Sequence, residues 1–206
     1  MEPLLTLVIA LGGIATGVGA IWTAVVTRHL ARTTEESVAE QTQSLREQNE
    51  RARLTLEYDL LTRLDDRLAT PYYLRTMREA SMYLRDNAFV GDELVEGTSM
   101  TFAVGEVCSF FEELGELLRQ GVLRAETVWN RYAVMAQTYW LVCKPPIEKE
   151  RKNWKDPTLY EQFEYLCRVM AELDRKRGIP APTQELLRQS LEYQATINIE
   201  PPTTPE

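Results

Sequence analysis

A run without a single charged side chain extends from Pro3 to Thr27 and constrains this chain more than any other feature. The run is rich in Leu, Val, Ile, Ala and Gly, and it is apolar on every helical face, unlike a surface helix. A helix rises about 1.5 Å per residue, so about 20 such residues cross a membrane core. A cleaved signal peptide would begin with basic residues and carry a shorter apolar core, whereas Met1 and Glu2 lead here. The sequence therefore predicts a retained transmembrane anchor over residues 1–28.

The charged residues that flank the run predict its orientation. Arg28 and Arg32 follow it, whereas the amino side carries Glu2 and no basic side chain. Basic residues favour the cytoplasmic side of a membrane, so we expect the amino terminus outside and the rest of the chain in the cytoplasm. Trp22 lies near the same end, where an aromatic ring suits the lipid interface. We therefore expect a single-pass protein of the cell membrane, with Trp22, Arg28 and Arg32 as interface anchors against the lipid bilayer.

Small residues form one stripe along the predicted anchor. The stripe contains Gly13, Gly17, Ala20 and Ala24, at spacings of four, three and four. Small side chains let a second membrane helix approach closely. The stripe is a candidate contact face for a partner helix or a second copy, and a face that meets only lipid is the alternative.

Residues 29–53 form a polar segment without Pro or Gly, rich in Glu, Gln, Arg and Ala, which favours helix. Apolar residues recur in it every seven positions, with Thr and Gln between them. The apolar positions are Ala31, Val38, Leu45 and Ala52, and the intermediate ones are Thr34, Gln41 and Gln48. A stable coiled coil is apolar at both sets of positions. The pattern favours a mostly solvated helical stalk that continues the membrane helix, with weak parallel self-association as the alternative.

Helical spacing of apolar residues continues from 54 to 195 and predicts an all-α domain, a five- to six-helix cytoplasmic bundle. Thr70-Pro71 and Asp156-Pro157 each combine a helix cap with a proline suited to a first turn. Gly121 and Gly178 are expected to end helices. Pro145-Pro146 predicts either a kinked helix or the start of a new one.

The segment from Asn87 to Gly97 is expected to be a loop, and residues 196–206 are polar, rich in Pro and expected to be disordered. The expected core positions are Leu54, Tyr58, Leu61, Leu64, Leu68, Tyr73, Met77, Ala80, Leu84, Met100, Ala103, Val104, Val107, Phe111, Leu114, Leu118, Val128, Trp129, Tyr132, Met135, Ala136, Tyr139, Trp140, Cys143, Tyr160, Phe163, Leu166, Cys167 and Met170.

The residue inventory excludes several chemistries. The formal net charge of −8 argues against nucleic acid as a partner, because phosphate binding needs a concentrated basic face. His29 is the only histidine, so one chain cannot assemble a catalytic triad or a histidine-based metal site. No Gly-rich phosphate loop is present. Cys108, Cys143 and Cys167 lie in apolar helical contexts and are expected to be buried free thiols, with a structural zinc or redox site as the alternative. The sequence predicts no catalytic, cofactor-binding or metal-binding residue.

Two charged clusters remain as candidate surfaces. An acidic turn formed by Glu112, Glu113 and Glu116 is expected to be a solvated helix face, and an acid pair or cation site is the alternative. The densest basic segment of the domain either pairs locally or contacts an acidic partner or the inner leaflet. Its candidate partner- or lipid-contacting residues are Lys149, Arg151, Lys152 and Lys155.

The stretch FFEELGELLRQGVLRAETVWNRYAVMAQTYWLVCKPPIEKERK, followed by YEQFEYLCRVMAEL, resembles a family of bacterial and archaeal membrane-anchored proteins classed as a domain of unknown function. The resemblance covers about residues 54–178. Its matching positions include Phe110, Phe111, Glu112, Gly121, Tyr139, Trp140 and Tyr165. Lys144-Pro145-Pro146 departs from the single proline usual in that family. The resemblance implies an architecture and a location, and no catalytic residue.

We therefore expect a single-pass protein that presents a helical interaction domain at the cytoplasmic membrane surface and binds itself or a protein partner. An accessory subunit of a membrane complex is a variant of this hypothesis. A competing hypothesis is an enzyme that uses only carboxylates, tyrosines and arginines, for example Glu112, Tyr139 and Arg131. A third is regulation of lipid or stress responses through the basic segment.

Overall fold

The computed structural model describes the backbone of residues 2–90, 93–95 and 98–196, and the side chains of Arg28, Thr34 and the described residues from Ser37 onward. This part of the chain contains six helices and one two-stranded hairpin. They are α1 (Glu2–Leu68), α2 (Pro71–Asn87), β1 (Phe89–Val90), β2 (Glu93–Leu94), α3 (Phe102–Arg119), α4 (Ala125–Trp154), α5 (Glu161–Lys176) and α6 (Gln184–Ala195). The prediction of an all-α fold is confirmed.

Internal packing divides the chain into two units, Met1–Thr55 and Leu56–Glu206. Within the part whose side chains are described, no helix combines the length and apolar character needed to cross a membrane. The side chains of the predicted anchor before Arg28 lie outside this part, and so does that of the interface residue Arg32. The other predicted anchor residues whose side chains lie outside it are Gly13, Gly17, Ala20, Trp22 and Ala24. Of the tail predicted to be disordered over 196–206, Thr196 is described as a turn and the rest lies outside the described residues.

Local signals in the sequence set most helix ends. The Thr70 side chain accepts a hydrogen bond from the Tyr73 backbone N–H at 3.2 Å, and Pro71 occupies the first turn of α2. Gly121 and Gly178 both have φ of 70°, a left-handed conformation that costs glycine little. These predicted starts and stops are confirmed.

The helix α4 continues through Pro145 and Pro146 to Trp154, which decides between the two alternatives that the prolines allowed. Each proline removes one backbone donor from the helix. Pro146 and Ile147 are buried, so tertiary packing holds this segment in helical form in spite of the missing hydrogen bonds.

Three local predictions were wrong, and the first is the helix start at Asp156. The Asp156 carboxylate accepts hydrogen bonds from the backbone N–H and the hydroxyl of Thr158, at 2.9 and 2.6 Å. A side chain that satisfies the backbone two residues ahead favours a turn over a helix. Residues 157–160 therefore form turns, and α5 begins at Glu161.

The second wrong prediction is a plain loop between α2 and α3. Antiparallel pairing joins Phe89 to Leu94 and Val90 to Glu93. The hairpin has two residues in each strand, too few for the period-two alternation that signals a strand in a sequence.

The third is the buried face of α1. Leu61 and Leu64 are buried as predicted, whereas Leu54 and Tyr58 remain 39% and 64% exposed. The buried face of α1 is therefore rotated relative to the predicted one. It includes Glu57, which is 2% exposed and whose carboxylate points inward to α4. The other predicted core positions are buried or partly buried, which confirms the helical spacing.

An aromatic cluster occupies the centre of the core. Phe111 stacks on Phe163 with ring centroids 4.9 Å apart, and Trp140 meets Phe163 edge-on at 5.2 Å. The helices α3 and α5 approach closely at Gly115, where a β-carbon would lie 2.0 Å from the Gln162 carbonyl oxygen. Glycine is the residue that permits this contact.

Candidate functional site

A groove lies between α4 and α6, against the carboxyl end of α5. We call it the α4–α6 groove. Its main cavity has a volume of about 660 Å³. A second cavity of about 450 Å³ shares four lining residues with the first: Gln137, Asp174, Ile179 and Pro180. Ligand sites in proteins have this size range.

The rim of the groove is apolar and open to solvent. Val134 of α4 is 77% exposed, Leu186 of α6 is 54% exposed, and Ile179 of the intervening segment is 43% exposed. Pro180 and Pro182 complete this wall. Apolar side chains grouped around one groove mark a surface suited to a partner.

The segment that forms one wall is shaped by a helix stop and a helix start. Gly178 ends α5 in the left-handed conformation, and the Ile179 N–H returns to the Asp174 carbonyl at 2.9 Å. Pro180 cannot continue a helix, and Thr183 caps α6 by accepting from the Leu186 N–H at 3.3 Å. Local chemistry thus places Ile179 and Pro180 between the two helices.

Asp174 is the carboxylate of the groove. Its Oδ1 accepts from Trp129 Nε1 at 2.7 Å, and its Oδ2 accepts from Gln137 Nε2 at 2.5 Å. Both donors are neutral, and within the described residues this carboxylate takes part in no salt bridge. Asp174 therefore belongs to no ion pair among the described residues, and Arg175 lines the second cavity beside it.

The indole of Trp129 makes two polar contacts. The Arg177 guanidinium lies 3.6 Å from the centre of the indole ring, within the range of a cation–π contact, and it also pairs with Glu126. The indole therefore contacts Arg177 through its ring face and Asp174 through its N–H.

A buried polar network attaches α6 to the rest of the domain. Ser81 of α2 hydrogen-bonds the Tyr139 hydroxyl at 2.7 Å and donates to Gln194 of α6 at 3.4 Å. Thr138 of α4 donates to Ser190 of α6 at 3.2 Å. Burial raises the pKa of Tyr139, so its hydroxyl stays protonated. The network fixes α6, and with it one side of the groove.

Comparison with known proteins gives one match. A family model described as a domain of unknown function (DUF4760) matches residues 10–170. The chain belongs to the DUF4760 family. The match confirms the resemblance to an uncharacterised family. The DUF4760 span covers the α4 wall of the groove, while Asp174, residues 178–183 and α6 follow it. No curated protein and no solved structure matches the chain.

Each of the three residues named for an enzyme in this DUF4760 chain has a hydrogen-bond or ion-pair partner outside the set. Glu112 accepts from the Phe163 N–H at 2.7 Å. Arg131 pairs with Asp65 of α1, and Tyr139 bonds Ser81 in the core.

The acidic turn of α3 is a set of structural contacts. Glu113 pairs with Arg67 of α1 at 2.5 Å, and Glu116 accepts from Gln120. The carboxylate of Glu112 accepts a hydrogen bond from the Phe163 N–H in the first turn of α5. Glu112 therefore does not belong to a purely solvated face.

The basic segment divides into two parts. The Arg151 guanidinium is engaged within the domain, because it donates hydrogen bonds to the Leu159 carbonyl and to Glu164, both at 2.9 Å. Lys149, Lys152 and Lys155 are exposed. Contact of these lysines with an acidic partner or with lipid stays a prediction.

All three cysteines are free and buried, as predicted. A hydrogen bond to Cys143, together with burial, raises the pKa of Cys108, and burial raises that of Cys167. Among the residues with described side chains, no cluster of three or more His, Cys, Asp or Glu could hold a metal ion.

The sequence interpretation missed the α4–α6 groove. Asp174 and Trp129 are 45 residues apart, and neither belongs to a recognisable motif. The one local signal was the segment Gly178-Ile179-Pro180. It predicts a turn, but it does not indicate that the turn forms a wall of the α4–α6 groove.

Proposed function

We propose that this is a single-pass membrane protein whose helical domain lies at the cytoplasmic membrane surface and works by binding a partner in the α4–α6 groove. The uncharged run from Pro3 to Thr27, followed by Arg28 and Arg32, supports the anchor and its orientation. The backbone of α1 is helical from Glu2 past Arg28, as expected for an anchor that continues into a stalk. The stripe of Gly13, Gly17, Ala20 and Ala24 is then available for contact inside the bilayer.

One observation supports the groove above all others: Asp174 is a carboxylate that takes part in no ion pair of the described residues and lies in a groove with a mostly apolar lining. A charge in such surroundings is stabilised by an opposite charge that arrives with the ligand. We therefore assign to the groove an apolar segment of a partner protein that carries one Lys or Arg, with the basic group directed at Asp174.

The shape of the rim favours a protein segment over an enclosed small molecule. Small-molecule sites bury most of the ligand within their walls. Here Val134 and Leu186 project from the walls into solvent, and only a partner with a surface of its own would cover them.

Affinity purification of the tagged full-length protein from its own membranes tests the binding. We expect a partner recovered in stoichiometric amount, as for a subunit of a membrane complex, and lost when Val134→Glu and Leu186→Glu charge the rim. Val90→Glu is the matched control, because Val90 is 70% exposed in the hairpin and does not line the groove. Asp174→Asn keeps the side-chain size but removes the charge and one of the two acceptors that Trp129 and Gln137 use, and it is expected to weaken capture at least tenfold. Capture that the groove variants leave unchanged would contradict this assignment.

Membrane topology is tested separately. We expect the protein to resist extraction by alkaline carbonate, and protease to digest the domain only in vesicles that expose the cytoplasmic face. A variant that lacks residues 1–27 should move to the soluble fraction. Release of the full-length protein by carbonate would contradict the anchor without bearing on the groove.

A further inference from the structure

The α1 helix presents one uncharged face between Ser37 and Asn49. In a seven-residue frame with Val38 and Leu45 at position a, every residue of this stretch at positions a, d, e and g is uncharged. These residues are Ser37, Val38, Gln41, Thr42, Ser44, Leu45, Gln48 and Asn49. The charged residues between Ser37 and Glu50 occupy positions b, c and f. They are Glu40, Arg46, Glu47 and Glu50. We call this uncharged face the α1 seam.

The seam is exposed along its whole length. Every side chain from Ser37 to Leu56 is exposed, including Val38 at 54% and Leu45 at 59%. An isolated polar helix is only marginally stable in water, because most helical stability in proteins comes from packing. A helix of this composition gains that packing when a partner covers the seam.

We infer that the partner is a second copy of this chain, paired parallel and in register through the α1 seam. In such a pair the residues at positions a and d lie beside their own copies, so a charge of either sign there would face the same charge. These positions are Val38, Gln41, Leu45 and Gln48, and none of them is charged. A different protein would require only a complementary charge and would not require both signs to be absent.

The polar residues of the seam also suit a second copy. Gln and Asn amides both donate and accept hydrogen bonds, and Ser and Thr hydroxyls do the same. Gln41 and Gln48 can therefore each bond their own copy across the seam. Like-with-like pairing satisfies polar groups that an apolar partner would leave without hydrogen bonds.

The apolar residues decide the direction. Parallel pairing places Val38 against Val38 and Leu45 against Leu45, which gives two apolar layers. Antiparallel pairing places a positions against d positions, so that Val38 and Leu45 would meet glutamines. The pairing is argued from residues 37–50 alone and does not depend on the groove.

Disulfide trapping between full-length chains in their own membranes tests this interface. We expect Val38→Cys, Gln41→Cys and Leu45→Cys to form disulfide-linked dimers at least fivefold more than Arg46→Cys and Glu47→Cys on mild oxidation. The wild-type chain supplies the background, because Cys108, Cys143 and Cys167 are buried. Equal trapping at all five positions would overturn the pairing. Antiparallel pairing would place Val38 of one chain against Gln48 of the other. If a mixture of Val38→Cys and Gln48→Cys chains forms more disulfide-linked dimer than either variant alone, the parallel direction is overturned.

A charge variant tests the same interface without oxidation. Leu45→Glu places like charges face to face and should convert a dimeric native mass in mild detergent to a monomeric one. Gln43→Glu, at an outer f position, should leave the dimer intact. A monomeric wild-type chain, or a dimer insensitive to Leu45→Glu, would overturn the proposal. Partner capture by the α4–α6 groove is a separate readout, so the failure of one proposal is distinguishable from that of the other.

Discussion

The carboxylate of Glu57 in α1 caps the amino end of α4 through Arg124. Its Oε1 accepts from the Arg124 backbone N–H at 3.1 Å, and its Oε2 accepts from Arg124 Nε at 2.7 Å. Arg124 is the N-cap residue of α4 and supplies no side-chain cap of its own. The first turn of a helix leaves backbone donors without partners, and a carboxylate there also meets the positive end of the helix dipole.

A second helix is completed in the same way. The N-cap residue of α5, Tyr160, makes no side-chain cap, and Glu112 of α3 accepts from the Phe163 N–H at 2.7 Å. Two helices of the domain therefore depend on carboxylates from other helices for their first turns.

Replacement of Glu57 by Gln tests the first of these caps. We expect Glu57→Gln to lower the free energy of unfolding by about 1–3 kcal/mol, because a buried charge-assisted hydrogen bond is lost. Asp59→Asn, two residues away and exposed, is the matched control and should change stability by less than about 0.5 kcal/mol. Denaturant unfolding of the full-length protein in mild detergent measures both. Equal effects of the two substitutions would contradict the capping role.

The same carboxylate predicts a loss of stability in acid. Burial pushes the pKa of Glu57 up, but hydrogen bonds from the Thr127 side chain and from Arg124 outweigh it and leave the pKa below its ordinary value of 4.5. A carboxyl with a lowered native pKa stabilises the fold fully above its unfolded pKa and loses that contribution as the pH falls through the native pKa. The stability difference between wild type and Glu57→Gln should therefore shrink as the pH drops below 4.5. Denaturant titrations at a series of pH values measure this difference, and a constant difference would contradict it.

Two glycines of α3 should respond to alanine in opposite directions. At Gly115 the added β-carbon would lie 2.0 Å from the Gln162 carbonyl, so α3 and α5 must separate, at a cost of about 1–3 kcal/mol or more. At Gly105 the nearest atom is the Tyr160 hydroxyl at 3.8 Å, an ordinary contact. There, alanine should stabilise the helix by about 0.5–1 kcal/mol. Thermal unfolding of Gly115→Ala and Gly105→Ala gives the sign of each stability change directly. If Gly105→Ala destabilises the protein and Gly115→Ala does not, the packing described for α3 and α5 is refuted.

The buried cysteines should be inert in the folded protein. The pKa of Cys108 is raised by its hydrogen bond to Cys143 and by burial, and burial raises that of Cys167, so few thiolates exist at neutral pH. We expect a thiol reagent to modify all three cysteines in denaturant and to react with them slowly in native protein. Asn153→Cys adds an exposed thiol to α4 and should react at the rate of a free cysteine. Rapid native labelling of Cys108 or Cys167 would show that the core opens.

The sequence by itself determined the all-α class, most helix ends and most of the core, because caps, prolines, glycines and apolar spacing act within a few residues of each other. Thr70-Pro71, Gly121 and Gly178 each carry their signal locally. The turn at Asp156 escaped prediction because its side chain satisfied the backbone of Thr158 instead of a helix.

Tertiary structure alone decided which polar residues became buried partners. Glu57 and Arg124 are 67 residues apart, and Trp129 and Asp174 are 45 apart, so their contacts depend on how the helices pack. The same packing carried α4 past two prolines, since burial of Pro146 and Ile147 compensates for the missing backbone bonds. Apolar spacing specifies which face of a helix turns inward to within a residue or two. Which carboxylate meets which helix end is decided only when the helices are in place.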